Sequence, residues 1–293
     1  MLQTLSAVAG ESCFALKGGT AINFFVRDLP RLSVDIDLTY VPVRERDESL
    51  NGISEALRRI AARLREPAFN LRVNESRLRE TRHCTKLLVS NGDVQVKIEP
   101  NLVIRGTIHP AETRELVPAA QKLFELALSV PVVSLPDLYG GKICAALDRQ
   151  HPRDLFDMKL ELEAEGITDA MRKGFLVYLI SHDRPINELI DPRRIDPRGL
   201  FENEFRGMAA ENVTYEALVE ARELLISTLA ESITVEERRF LISFKEGTPN
   251  WPLLGLNGVD QLPAVRWKLL NIGRMPRAAH AKALKQLKAK LGS

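Results

Sequence analysis

The sequence predicts an α/β (α+β) protein in which strands and helices interleave over residues 1–130 and a mainly helical lobe follows over 131–293. Three observations predict it. Phe14 to Val26 reads as strand, glycine turn and helix. Val34 to Leu38 and Lys86 to Glu99 carry the two-residue alternation of strands, and from Glu112 onward β-rich stretches disappear apart from Val130 to Val133. A soft boundary therefore falls near Pro131.

Taken in order, Met1 to Gly10 forms a short leading helix, and Phe14 to Lys17 is an apolar strand. Gly18-Gly19-Thr20 makes a tight turn, after which Ala21, Ile22, Phe24 and Phe25 supply the buried side of a helix running to Val26. A helix that begins at glycines turns unpaired backbone N–H groups and the positive end of its dipole outward, an arrangement that suits phosphate oxygens. Next, Val34, Ile36 and Leu38 alternate with Asp35 and Asp37, so both carboxylates share the face opposite the apolar side chains. Two such acids repel unless a cation lies between them, and together with phosphate oxygens they match the ligands Mg²⁺ accepts. A lone Gly-Gly is an ordinary turn and a lone D-x-D arises by chance; one compact unit holding both points to nucleotide chemistry.

Beyond Pro42, Leu50, Ile53, Leu57, Ile60 and Leu64 recur at helical steps, and Leu71 to Val73 reads as a strand. Lys86 to Ser90, Asn91-Gly92 and Asp93 to Glu99 form a hairpin signal with a type I′ turn. Val94, Val96 and Ile98 face one way and Glu99 the other, which makes Glu99 either a third metal-binding carboxylate or a solvent-facing acid at the end of an edge strand.

Ser134 to Asp137 reads as a helix start, and Leu138, Lys142, Ala145 and Arg149 follow along one stripe, so two cations share a face. Gly140-Gly141 would admit a phosphate-bearing ligand or another backbone. His151-Pro152 ends this helix, and Arg153-Asp154-Leu155-Phe156-Asp157 opens another, in which Asp154 fits an N-cap and Asp157 a favourable partner of the helix dipole. A helix over Ile167 to Ile180, a proline-containing connection over Asp183 to Gly199, and helices capped by Thr214 and Thr234 complete the lobe. Ala278 to Leu291 is a basic helix that either contacts RNA or docks through Leu284, Leu287 and Leu291.

With 45% hydrophobic and 27% charged residues, the chain has the composition of ordinary globular material able to bury a sizeable core. The net charge of +2 is unevenly spread: no acid follows Asp260, whereas Arg266, Lys268, Arg274, Arg277, Lys282, Lys285, Lys288 and Lys290 do, which favours an anionic partner. Cys13, Cys84 and Cys144 are widely spaced and odd in number, which suits a reducing cytoplasm rather than a disulfide framework or a zinc site. No stretch approaches a membrane span, and no basic segment followed by an apolar core opens the chain, so neither membrane insertion nor secretion is expected. The five histidines fit no ligand spacing, and no P-loop motif occurs.

Gly18-Gly19-Thr20 followed by Arg31-x-Ser33-x-Asp35-Ile36-Asp37-Leu38 resembles the first motif of the AbiEii/AbiGii nucleotidyltransferase toxins, with which the MenT-type toxins belong. Lys142, Ala145, Ala146, Arg149 and Arg153-Asp154-x-x-Asp157 are similar to the second block of that family, and Phe244 to Met275, with Pro249-Asn250-Trp251 and Leu262 to Leu269, to its closing segment, so the likeness spans nearly the whole chain. It implies the polymerase-beta type of nucleotidyltransferase fold, a mixed sheet flanked by helices with a helical lobe behind. It further implies that Gly18, Gly19 and Thr20 hold the phosphates of a nucleoside triphosphate, with Ser33 and Arg149 as further nucleotide contacts. Asp35 and Asp37 would bind Mg²⁺, with Mn²⁺ as the alternative ion and Glu99 as the candidate third ligand, while Lys142 and Asp157 join the two aspartates as catalytic groups. The implied biology is a bacterial toxin that transfers a nucleotide to RNA, at the 3′ end of tRNA, and is restrained by a cognate antitoxin protein. A nucleotidyltransferase acting on a small molecule or protein, and a non-catalytic nucleotide or RNA binder, are the competing readings.

Overall fold

In the computed structural model, residues 1–92 and 94–292 are described. The chain divides into two compact units, Met1–Ser134 and Leu135–Ser293.

The first unit runs α1 (Leu2–Ala9), β1 (Phe14–Lys17), α2 (Gly18–Phe25), β2 (Asp35–Tyr40), α3 (Arg46–Arg65), β3 (Arg72–Arg77), β4 (Cys84–Asn91), β5 (Val94–Pro100), β6 (Glu112–Glu115), α4 (Pro118–Phe124) and β7 (Ser129–Val132). Among the described residues these strands form one mixed seven-stranded sheet in the order β3-β4-β5-β2-β1-β7-β6. The central pairs β2/β5 and β1/β7 are parallel and the remaining neighbours antiparallel. The stripe predicted for α3 is its buried face, with Leu50, Ile53, Leu57, Ile60 and Leu64 all sealed from solvent, and the helix packs on β3 and β4. Glu11, buried after α1, accepts hydrogen bonds from Arg59 at 2.7 Å and Arg63 at 2.6 Å, tying the N-terminal turn to α3.

Three local expectations shift. Val34 is exposed and lies outside β2, which begins at Asp35. The β4/β5 ladder pairs Asn91 with Val94, so Asn91 ends a strand rather than opening the turn, and Gly92 adopts a left-handed φ of 61°. Asp93, expected to start the second strand, lies outside the described residues. The strand Glu112–Glu115 went unforeseen because Glu-Thr-Arg-Glu has no apolar alternation; it is a sheet edge that pairs with β7 and needs no buried side chains of its own.

The second unit runs α5 (Leu135–Arg149), α6 (Pro152–Ala164), α7 (Asp169–Ser181), α8 (Ile186–Ile190), α9 (Arg198–Leu200) with a π-helical turn over Phe201–Phe205, α10 (Tyr215–Ser232), α11 (Val235–Glu246), α12 (Pro263–Gly273) and α13 (Arg277–Leu291). Its tightest packing joins α5 to α7. A Cβ at Gly140 would lie 2.5 Å from the Gly174 carbonyl carbon and 2.8 Å from the Phe175 nitrogen. Of the two roles open to the Gly140-Gly141 pair, Gly140 therefore serves the approach of another backbone.

Thr168, Thr214 and Thr234 cap α7, α10 and α11, the last with Glu237 in a reciprocal capping box. Lys268 of α12 donates to the carbonyls of His182, Asp183 and Arg184 at 2.6, 3.2 and 2.8 Å, closing off the chain that leaves α7. The basic helix α13 buries Leu287 and Leu291 and packs against α11 and α8, while Lys282 and Lys285 stay exposed. Among the described residues, no helix is long and apolar enough to cross a membrane.

Candidate active site

Gly18 turns the chain from β1 into α2 with φ +71°, a conformation that a Cβ would strain. That Cβ would also lie 2.8 Å from Asp37 Oδ2, so the absence of a side chain at position 18 lets the helix start beside the carboxylate. Gly19 is constrained from another side: a Cβ there would meet Arg31 Nη2 at 2.5 Å and Ser33 Oγ at 3.2 Å. Arg31 is almost wholly buried and donates from Nη1 to the Leu32 carbonyl at 2.8 Å. A guanidinium thus lies against the glycine turn, adding positive charge where the first N–H groups of α2 emerge.

The side chain of Thr20 turns inward. It is buried, with the hydroxyl donating to the Asp35 carbonyl and lying 2.9 Å from Ser33 Oγ. The hydroxyl thereby pins the start of α2 to the start of β2, and what Thr20 can offer a ligand is its main-chain N–H. Asn23, also buried, donates to the Gly19 carbonyl at 2.8 Å and holds the turn from below.

On β2, Ile36 and Leu38 are fully buried while Asp35 and Asp37 are partly exposed on the opposite face, as the alternation requires. The parallel register places Lys97 beside Asp35 and Glu99 beside Asp37, and the antiparallel register places Lys17 across from Asp37. Three carboxylates therefore share one sheet face.

Glu99 sits next to Asp37, as a third ligand would, yet both of its oxygens meet lysines: Oε1 lies 2.7 Å from Lys86 and Oε2 3.0 Å from Lys97. Lys97 also stands 3.8 Å from Asp35 Oδ2. Burial opposes the charged form of both partners, but the pairing prevails, holding the Glu99 carboxyl below its usual range and the Lys97 ammonium above its own. In this arrangement no group of three His, Cys, Asp or Glu side chains among the described residues could hold a metal ion. The pair Asp35 and Asp37 is what suits a divalent ion: two hard oxygen donors on one face, open to solvent, beside a cradle that a Cβ at Gly18 would fill.

The second unit gathers the other expected residues. Lys142 on α5 is buried between two acids of α6, 2.9 Å from Asp154 Oδ1 and 2.8 Å from Asp157 Oδ2. Arg149, one stripe further along α5 and well exposed, donates to Asp154 from Nε at 2.5 Å and from Nη2 at 3.1 Å. The shared face of the two cations is thus a shared partner. Burial would raise the Asp154 carboxyl, but Lys142 and Arg149 outweigh it and hold the group well below the usual carboxylate range. Asp154 does not cap α6. His151 holds that position, accepting from the Arg153 N–H at 3.1 Å through Nδ1, and Asp154 is free to point at α5.

Three charged residues of these clusters escaped the sequence reading as site members: Arg31, Lys86 and Lys97. Arg31 stood inside the quoted motif, and Lys97-x-Glu99 repeats the spacing of Asp35-x-Asp37 with one sign reversed. That β5 lies beside β2 depends on a parallel pairing that no local signal announces.

The fold resembles that of MenT4, a nucleotidyltransferase toxin from Mycobacterium tuberculosis H37Rv, with a TM-score of 0.58 at 14% identity, covering 97% of this chain and 91% of that one. A search among curated proteins found no match. The sequence profile of the family described as "Nucleotidyl transferase AbiEii toxin, Type IV TA system" matches residues 1–270, and the chain belongs to that family. It is a toxin nucleotidyltransferase of a type IV toxin–antitoxin system, a class to which an antitoxin partner also belongs.

Proposed function

We propose that the protein transfers a nucleotide from a nucleoside triphosphate to a hydroxyl of RNA, at the 3′ end of tRNA, with release of pyrophosphate. The acceptor oxygen attacks the α-phosphorus, the bond to the pyrophosphate breaks, and the hydroxyl proton passes to solvent water. The observation that carries this reading is the juxtaposition of Gly18 and Asp37, which brings the start of α2 and an acidic strand face together in one small volume.

In this reading the main-chain N–H groups at Gly19 and Thr20, with the Arg31 guanidinium behind them, receive the triphosphate oxygens. Asp35 and Asp37 hold Mg²⁺ or Mn²⁺, which when bound supplies Lewis-acid polarisation of the phosphate and favours the deprotonated acceptor. Ser33 sets the turn through its contact with Thr20. Lys142, whose position Asp154 and Asp157 fix, and Arg149 are the groups of the second unit that this reading assigns to catalysis and nucleotide binding, with Asp157 beside them. A polyanionic acceptor is supported by the acid-free segment after Asp260 and by the exposed Arg266, Arg274, Lys282 and Lys285 within it. A cognate antitoxin restrains the enzyme.

The test incubates the protein with Mg²⁺ and each labelled nucleoside triphosphate together with total RNA, protein or an aminoglycoside. Label on RNA of tRNA size, lost in Asp35→Ala and Asp37→Ala variants that melt normally, is the expected result. Label on protein or drug would move the acceptor, and binding without pyrophosphate release would end the enzymatic reading.

A further inference from the structure

Helix α12 turns its largest side chain outward. Ala264, Val265, Lys268 and Ile272 are its buried residues. Arg266, Trp267, Leu270 and, at the C-cap, Arg274 are exposed, Trp267 at 47% and Leu270 at 51%. Steps of three and four place these four side chains on one face. A single exposed apolar residue is ordinary, but an indole and a leucine adjoining on one face make a patch. The chain holds two tryptophans, and the other shows the contrast: the Trp251 ring stands 5.6 Å from that of Phe240 and 6.3 Å from that of Phe244. Among the described residues, Trp267 has no ring beside it and no acceptor for its N–H, and Arg274 has no carboxylate partner.

Charge decides what kind of occupant suits this face. No acid follows Asp260 in the sequence, and the Asp260 carboxylate accepts a hydrogen bond from the Gln261 amide. An indole flanked by two arginines matches the π-face of a nucleobase with a phosphate on either side, since every base can stack and every linkage is anionic. In a duplex the base faces are already stacked on one another, so such a platform selects unpaired nucleotides. We infer that Trp267 is a stacking platform for an unpaired base of RNA, with Leu270 extending the apolar surface and Arg266 and Arg274 receiving the neighbouring phosphates. The inference rests on the RNA acceptor proposed above and adds that α12 holds that RNA as a single strand.

The test is the fluorescence anisotropy of a labelled RNA single strand of roughly ten nucleotides, beside the same sequence as a duplex, titrated with the full chain in the absence of nucleoside triphosphate. Trp267→Ala should weaken single-strand binding about tenfold or more, the loss of one base–aromatic stack, and leave duplex binding within about threefold. Trp267→Phe keeps a ring and should restore single-strand affinity to within about threefold of the unaltered protein. A second readout needs no variant to fold: the single strand should quench the indole emission of the unaltered protein. That quench should vanish in Trp267→Ala, where Trp251 still emits from its aromatic cluster. Unchanged single-strand affinity in Trp267→Ala, or no quench in the unaltered protein, overturns the inference. If the unaltered protein still binds and labels RNA in that case, the RNA acceptor stands and only the platform falls. If the unaltered protein binds neither form of RNA, the RNA acceptor falls and the platform with it. Self-association that sedimentation shows to depend on Trp267, with RNA affinity unchanged by the variant, would make a second copy of the chain the occupant and overturn the inference as well.

Discussion

Gly18 and Asp37 are in such close approach that a single methyl group on the glycine would lie 2.8 Å from the carboxylate oxygen. The contact joins the two halves of the sequence motif, because the start of α2 and the acidic strand can be neighbours only if position 18 carries no side chain and can adopt φ +71°. Gly18→Ala should therefore have two effects. Left-handed backbone costs a Cβ-bearing residue roughly 1–2 kcal/mol of stability, and the clash should turn Asp37 aside and lower transfer at least tenfold. Gly92→Ala is the control, since Gly92 also has positive φ but nothing within 4 Å of the added carbon. It should lose stability by a similar amount and keep full activity; equal activities of the two variants would show that the close approach does not matter to turnover.

The buried cluster of Lys142, Asp154 and Asp157 makes stability depend on pH with a defined sign. The Asp154 carboxyl is held well below its usual range in the folded protein, so the folded state binds fewer protons than the unfolded chain in acid. Its contribution is fully present above the unfolded carboxyl value of about 3.9 and is lost as pH falls below that value toward the folded one. Urea midpoints measured from pH 6 down to pH 3 should fall less steeply for Asp154→Asn than for the unaltered protein. At neutral pH, Lys142→Ala should cost about 3–5 kcal/mol, because two acids then remain buried with one partner removed. A near-neutral effect there would mean that the acids escape to water.

Gly140 and Gly174 let α5 and α7 cross backbone to backbone. Gly140→Ala would press its methyl onto main chain that cannot swing away, and a loss of about 1–3 kcal/mol in stability is expected from such overpacking. Gly141→Ala would meet the Tyr178 ring at 3.2 Å, a side chain with more room to yield, and should cost less. Thermal melts of both variants beside the parent give the comparison, and the opposite ranking would contradict the packing described.

How much of the site could be read from the chain depends on the range of each interaction. The glycine turn, the paired aspartates of β2 and the stripe that carries Lys142 and Arg149 follow from periods of two and 3.6 residues, and each appears where the pattern put it. The direction of the Thr20 hydroxyl was not legible in the sequence, since a short polar side chain at a helix start can turn outward to a ligand or inward to the next strand. Here it donates to Asp35, fifteen positions away, a choice made by the loop that returns the chain. His151 likewise displaced Asp154 as cap of α6 because the acid had a stronger claim on it, two cations of α5.

The sequence by itself determined which residues carry charge, which faces are apolar and where backbone freedom is required, because those properties are set by side-chain chemistry and local sterics within a few positions. Only the tertiary structure decided which charges meet. The parallel pairing of β2 with β5 set Lys97 beside Asp35 and Glu99 beside Asp37, and the crossing of α5 and α7 took up Gly140. Strand order and helix crossings are fixed by the burial of the whole apolar surface at once, which no short window of sequence contains.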